Sequence, residues 1–560
     1  AVDKNIGTAA RNFQENFLFS GSCPVSGFSA KPGRSADFET AIEAAGFGIF
    51  NVLLIMIAFA ACAATVFEST TMSYILPIAE CDLKLTLLDK GVLNAVTYAG
   101  MIVSAIVWGY LSDTQGRKKI LVFGYLADAA CVIGSSLSQS FNMLVTFKFL
   151  GGFFVNGPGA VLFTYLSELH GVKHRPRVLM VIGMIMSVCL LELPLLAWGI
   201  FPRDWDFVLF GVLNVHSWQI FLLISALPSL ISGLAITVLP ESPKFLMSQG
   251  RNQEALRAFQ TIYAFNKRKP KFTYPIRHLV EEVPDRNGNA NEVIYTIESK
   301  IDAKPMKVKR PHRSFTQALA DGMQQIKPMF KKPLLGYSLH VYTMQFCILL
   351  GLNTIRLWLP QLFASIAEYE AMEKNEDIST NLCTILEYSV NKTTATFLNI
   401  RYACHKNISV DMYTNNIIVA LSGLIGYFFA GAIIRALGEK RMLTLGLIIS
   451  GGCGVGLYWS SSGLTTLIIS SLFVTIGGIS TSSLMGVVVN LFPTSLRTLI
   501  IAISMMFGRL GALSGNMLFP IFIEIGCIPP FLMVGFAMFC MLSAGALSCI
   551  LPSPKKSTFT

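Results

Sequence analysis

A charged side chain inside a long apolar run is costly to insert, so each such residue is a candidate for chemistry. Glu68 stands nine residues before Pro77 and Lys148 six residues after Asn142, both within stretches otherwise almost free of charge. If Pro77 and Asn142 mark the same membrane face, the helical rise places the two about 13 Å and about 9 Å deep, within side-chain reach. A carboxylate and an ammonium at matching depth can form a pair that protonation of the acid breaks, changing the charge a bundle must carry across. A static ion pair is the other reading of the same residues. Glu192, eight residues before Ile200 and about 12 Å deep, is either a second coupling acid or an alternative partner for Lys148.

Arg509, with Gly508 and Gly511 beside it in the middle of a late apolar run, offers a cation to an anionic solute or to a buried acid. Asn156, Asn353 and Thr481, the last inside the hydroxyl run Ser480 to Ser483, are candidates to line a polar cavity. Small and hydroxylated residues also serve helix packing, which is the plainer alternative. Arg356, just before Trp358 and Pro360, reads as a cation snorkelling to an interface, and Asp128 is given no role. The chain holds no C-x-x-C, no convergent Cys/His spacing and no nucleophile elbow. No metal, cofactor or enzymatic activity is therefore expected.

Such residues need apolar helices to hold them. With 53% hydrophobic and 14% charged residues, the 560-residue chain is too apolar for a soluble globular protein. Runs long enough to cross a bilayer are expected at Gly46–Phe67, Val92–Leu111, Ile120–Leu137, Met143–Leu166, Val178–Ile200 and Trp218–Leu239 (spans 1 to 6). A second set covers Leu334–Leu359, Ile417–Ile434, Met442–Ser460, Leu464–Leu491, Leu499–Phe519 and Pro530–Leu551 (spans 7 to 12). The fold class is thus an all-α membrane protein with twelve transmembrane helices in two six-helix bundles. No cleavable signal is expected before span 1, which should itself direct insertion.

The net charge of +11 belongs to loops on one face rather than to a nucleic-acid surface. Arg117 to Lys119, Lys173 to Arg177, Lys440 with Arg441, and Arg497 all fall in even-to-odd loops, so those loops and both termini are expected in the cytoplasm. The expected organisation is a cytoplasmic segment 1–45, a bundle 46–240, a solvated cytoplasmic linker 241–333, a bundle 334–552 and a tail 553–560. The acidic loop 364–412 carries both sequons, at Asn391 and Asn407, and is expected outside and glycosylated. Cys383 and Cys404 share it and are a candidate disulfide. Two bundles joined by an inner linker suggest rocking about a central site.

Between spans 2 and 3 stands Gly109-Tyr-Leu-Ser-Asp113-Thr-Gln-Gly116-Arg117-Lys118-Lys119, glycines for a tight turn with an acid and cations at helix ends. It resembles the G-x-x-x-D-x-x-G-R-[RK] signature of the major facilitator superfamily, which implies the major facilitator fold and a role in holding the inner gate. Glu168 with Arg175, Glu241 in Pro-Glu-Ser-Pro-Lys-Phe, and Arg497 after Leu-Phe-Pro resemble the gating charges of its sugar and organic-ion porters. There, charges at cytoplasmic helix ends form and break bridges between bundles. In the same porters an acid on span 1 pairs with a base on span 4, and a cation at the position of Arg509 contacts anionic substrates.

Gly46 to Asn51, the stretch His216 to Pro228, and Gly250 to Leu256 are similar to the synaptic vesicle glycoprotein 2 family. The resemblance covers Phe38 to Asn266 well and Leu334 to Pro552 more thinly. In the second half Arg435 stands where an acid is usual and Asn490 where Glu is usual. The resemblance implies a secondary active transporter that moves a small polar organic solute, an organic ion or sugar-like, by alternating access, with protons as candidate coupling ions. The alternative it implies is a synaptic-vesicle-type glycoprotein that binds vesicle-protein partners and regulates exocytosis. Either would sit in the lipid bilayer of the plasma membrane or of a secretory or synaptic vesicle.

Overall fold

The structure is a computed structural model that describes residues 36–203, 205–209, 213–280, 334–372, 382–397, 410–492 and 494–535. A short helix α1 (Phe38–Ala45) comes first, capped by Asp37, which accepts from Thr40 N at 3.2 Å. Its residues Phe38, Ala41, Ile42 and Ala45 recur at helical spacing and are buried on one side.

The first bundle comprises α2 (Ile49–Leu83), α3 (Leu87–Thr114), α4 (Arg117–Ser136), α5 (Phe141–Glu168) and α6 (Arg175–Ile200), followed by a sixth span in two pieces. Those pieces are α7 (Ser217–Ser225) and α8 (Leu227–Thr237), and the break at Ala226 precedes Pro228, whose ring and missing N–H interrupt the ladder. A two-stranded hairpin, β1 (Asp206–Leu209) paired with β2 (Leu213–His216), fills the turn before α7. The second bundle holds α11 (Leu334–Met372), α13 (Val410–Leu437), α14 (Glu439–Gly456), α15 (Gly463–Leu491) and α16 (Thr494–Ile525). A last helix starts at residue 528 and reaches 535, where the description ends. Among the described residues, eleven helices are long and apolar enough to cross a membrane.

Helices pack closely where glycines remove side chains. A Cβ at Gly100 would overlap the Phe149 carbonyl and one at Gly152 the Thr97 carbonyl, so α3 and α5 approach backbone to backbone. Gly511 and Gly515 do the same for α16 against the Phe346 and Leu350 carbonyls of α11. Between bundles, α3 packs on α16, α6 on α13 and α2 on α11. Several contacts across that seam lie away from Arg117: Gly91 against Pro520, Asn94 Nδ2 to Leu357 O at 3.5 Å, and the rings of Phe201 and Tyr413.

Four sequence expectations change. Pro77 does not end span 1, because α2 continues to Leu83 and carries Glu80, whose Oε2 lies 2.7 Å from Lys90 Nζ. Glu68 is therefore near the middle of α2 rather than close to its outer end. The chain after 240 does not begin as solvated linker: α9 (Pro243–Ser248) and α10 (Asn252–Lys267) fold onto the first bundle. Ala255, Phe259 and Ile262 of α10 are buried, Asn266 Nδ2 donates to Gly46 O at 2.6 Å, and Ala36 bridges to Leu279. The acidic outer loop contains α12 (Leu382–Phe397), with Asn391 on it; Asn407 lies outside the described residues. Finally, Cys383 is bonded to Cys527 and not to Cys404, which also lies outside them. Helix α12 sits against the end of α16, so the partner in reach is 144 residues away in sequence, not in the same loop.

Candidate functional site

Lys148 is on α5 and Glu68 on α2, and the structure joins them: Lys148 Nζ donates to Glu68 Oε2 at 2.9 Å and to Thr71 Oγ1 at 3.2 Å. Both charged side chains are 1% exposed. Gly151, one turn beyond Lys148, leaves the room that Glu68 Oε1 occupies, since a Cβ there would overlap it. That Oε1 has no hydrogen-bond partner among the described residues. A buried pair of this kind is held by its own geometry, and removing either partner strands a charge.

Asp128 was given no role, yet it is fully buried on α4, accepts from Ser229 of α8 at 2.5 Å, and feels the charges of Glu68 and Lys148. Two carboxyl groups thus lie within electrostatic range of one amine inside the first bundle, only Glu68 in contact with it. The sequence signal was present, an acid in an apolar run, but one run does not say which way its face points. Glu192 stays apart, half-buried and without an ion-pair partner among the described residues; the pairing of Lys148 with Glu192 is not what the structure shows.

A second group lies where the bundles meet. Arg356 on α11 donates to Asn353 Oδ1 at 2.7 Å, and its charge reaches Tyr98 of α3. It does not snorkel: its charge reaches Tyr74 of α2 and Tyr427 of α13, and that of Arg509 on α16 reaches Tyr98. Neither arginine has a carboxylate partner among the described residues. Two guanidiniums among three tyrosines can receive a carboxylate, phosphate or sulfate and the apolar or hydroxylated body attached to it. Tyr74, Tyr98 and Tyr427 were not foreseen, although tyrosines inside apolar runs were visible. Thr481 turns its hydroxyl back to Gly477 O at 3.1 Å. Asn156 bonds Met101 O at 2.8 Å and Ser104 Oγ at 3.0 Å, so it ties α5 to α3 and is not free for a solute.

The gating residues form a network at the α3–α4 turn. Glu241 Oε1 accepts from the backbone N–H of Arg117 and of Lys118, each at 3.0 Å, and from Ser242 N–H at 2.9 Å. Arg117 pairs with Glu168 at 3.4 Å, donates to Ser112 O at 3.1 Å and lies over the Phe245 ring. Arg175 goes instead to Glu39 of α1, through two bonds of 2.9 Å. These contacts stay within the first half of the chain, and bridges to the second half, expected from the resemblance, are not among them. Just past α5, burial holds the His170 imidazole below its ordinary value. Gly109 faces open space. Arg497 has an unpartnered Nε among the described residues, and the side chain of Asp113 lies outside what is described.

Gly116 caps α4 with φ +94 and ψ 160, and Gly438 caps α14 with φ +77 and ψ 156, so the two halves repeat one turn. Only glycine occupies that region cheaply, and a Cβ at Gly116 would press on the Glu241 carboxylate at 2.6 Å. Gly116→Ala is expected to destabilise the first bundle by about 1–3 kcal/mol and to lower the thermal midpoint of the purified protein. An unchanged midpoint would show that the turn tolerates a side chain.

The family model described as Major Facilitator Superfamily matches residues 53–375 and 380–560. Synaptic vesicle glycoprotein 2B of Rattus norvegicus is 30% identical over 246 residues, which is 43% of this chain and 36% of that protein. Synaptic vesicle glycoprotein 2A of Homo sapiens is 28% identical over 246 residues, 43% and 33% of the two chains. The match thus spans about a third of the length of these relatives. Among solved structures, a D-xylose-proton symporter has a TM-score of 0.60 at 14% identity, covering 92% of this chain and all of that one. An inward open conformation of the xylose transporter XylE from E. coli gives 0.56 at 15% identity, covering 91% and 98%.

Proposed function

Because the chain belongs to the major facilitator superfamily, with that family's fold of twelve helices in two bundles, we propose that it is a secondary active transporter of a small polar organic solute working by alternating access. The observation that carries this reading is the buried Glu68–Lys148 pair in a helix, α2, that also packs on the second bundle. A proton delivered to Glu68 removes the charge that holds Lys148, and α2 and α5 are then free to shift against each other. Glu68 and Tyr74 share α2 about 9 Å apart along its axis, so that shift reaches the arginine and tyrosine group between the bundles. The coupling ion in this reading is a proton, and the solute presents its polar end to Arg356 and Arg509. Its charge complement is anionic, while its body meets the tyrosines.

In this proposal the seam contacts away from Arg117 close one side, and the solute exchanges from the side that bears Arg117, Arg175 and Arg497, which is the cytoplasm by the charge rule. The compact first unit runs from about residue 36 to 280, and residues 281–333 join the halves. Uptake by liposomes holding the purified protein, with an imposed proton gradient and a panel of organic anions, organic cations and sugars, tests the reading. Gradient-driven accumulation of one class, anions first, is expected; no accumulation of any would overturn it.

The opposite face carries α12 and the sequons. Replacing Asn391 and Asn407 together with Gln is expected to abolish a glycosidase-sensitive mobility shift of the expressed protein. A parent protein without such a shift would count against the outside assignment. A second reading, a vesicle glycoprotein acting through partner proteins, is favoured by the names of the relatives matched over the first half. Capture of vesicle proteins by a transport-inactive variant would support it.

A further inference from the structure

A cavity of about 780 Å³ opens between the Arg117 ends of α4 and α8, beside the gating turn but separate from the arginine and tyrosine group. Lys118 and Lys119 border it at the water-facing end, and Val122, Phe123 and Leu126 form its wall toward the membrane interior. Its carboxylates are already held in place. Glu241 is taken by the backbone donors of Arg117, Lys118 and Ser242, and Glu254 is paired with Arg251 at 2.5 and 2.8 Å. Lys118 and Lys119 form no ion pair among the described residues, and with Arg251 they set three cations against the two carboxylates of the lining, a net positive charge at the cavity.

The apolar wall does not stop at the cavity. Phe123 is 60% exposed on α4, Ile231 and Leu234 of α8 are 54% and 55% exposed, and Val238 just after it is 82% exposed. In a membrane-spanning bundle that surface belongs to acyl chains. We propose that this cavity is a binding site for an anionic phospholipid of the leaflet on the Lys/Arg-rich side. The phosphate lies against Lys118 and Lys119 and the chains along Phe123, Leu126 and the outer face of α8. A free phosphate compound would use the lysines but leave the wall without a function; the continuous apolar strip favours the lipid. Because α4, Glu241 and Phe245 surround both the site and the gating turn, an occupied site braces the turn in the arrangement seen here.

Native mass spectrometry tests this on the purified full-length protein, equilibrated in non-ionic detergent with equal amounts of phosphatidylserine and phosphatidylcholine. The parent is expected to retain phosphatidylserine in preference. Lys118→Ala with Lys119→Ala is expected to weaken that retention about thirtyfold, from two charges each near an anionic headgroup. Lys118→Arg with Lys119→Arg keeps the charge and should keep the lipid. Undiminished retention in the double alanine variant would overturn the site. So would displacement of the lipid by glycerophosphoserine at equal concentration, which would show that the acyl chains add nothing and the ligand is a soluble phosphate compound. Transport is not scored in any arm, so the result stands apart from the transport reading.

Discussion

Glu68→Gln is expected to lose concentrative uptake driven by a proton gradient while keeping solute exchange across proteoliposomes. The amide cannot accept the proton whose arrival releases Lys148, yet it retains the shape that Gly151 accommodates. The same substitution leaves Lys148 buried without its counter-charge, and breaking such a pair costs about 3–5 kcal/mol. A fall in thermal stability should therefore accompany the loss. Glu68→Gln combined with Lys148→Gln removes both charges and is expected to recover much of that stability without recovering concentrative uptake. This separates coupling from folding. Accumulation that persists in Glu68→Gln, at undiminished slope with the imposed gradient, would mean that the pair is a structural bridge and that coupling lies elsewhere, with Asp128 the next acid to replace.

Arg509→Ala and Arg356→Ala are each expected to raise the KM for an anionic substrate roughly 10- to 100-fold, the worth of a charge-assisted hydrogen bond in a buried site. Arg356→Ala should have the additional effect of freeing Asn353, to which it donates. Arg509→Lys keeps charge but not the planar fork, and is expected to fall between parent and alanine. The comparison that decides is across substrates. A site that recognises an anionic group predicts a large change for the anion and a small one for a neutral analogue with the same body. Equal losses for both would indicate disturbed helix packing.

Hydropathy alone located the spans because a bilayer demands about twenty apolar residues in a row, and the first-half helices α2 to α6 overlap the expected runs. The Glu68–Lys148 pair was legible for the same reason: few residues are so costly to place, and two of opposite sign at matching depth on spans 1 and 4 invite pairing. Asp128 obeys the same rule but was set aside, since an α-helix in lipid can be apolar all round and gives no sign of which side faces its neighbours. Ala255, Phe259 and Ile262 recur at the spacing of one helical face, but the basic run Lys267, Arg268 and Lys269 made the segment read as solvated linker. Pro77 misled because a bundle can absorb a proline within a helix when neighbours supply the missing contacts. The bond from Cys383 to Cys527 could not be read at all, as it depends on where α12 folds back.

That bond has a mechanical meaning. Cys383 and Cys527 both belong to the second half, as does the Leu382 N–H bond to Ser460 O. By this bond the outer cover is riveted to one leaf of the hinge. Rocking can proceed with that rivet in place, so Cys383→Ser combined with Cys527→Ser should leave turnover untouched. A label or antibody fragment fixed on α12 would then ride along as a pointer, reporting the tilt of one half while leaving the doorway free.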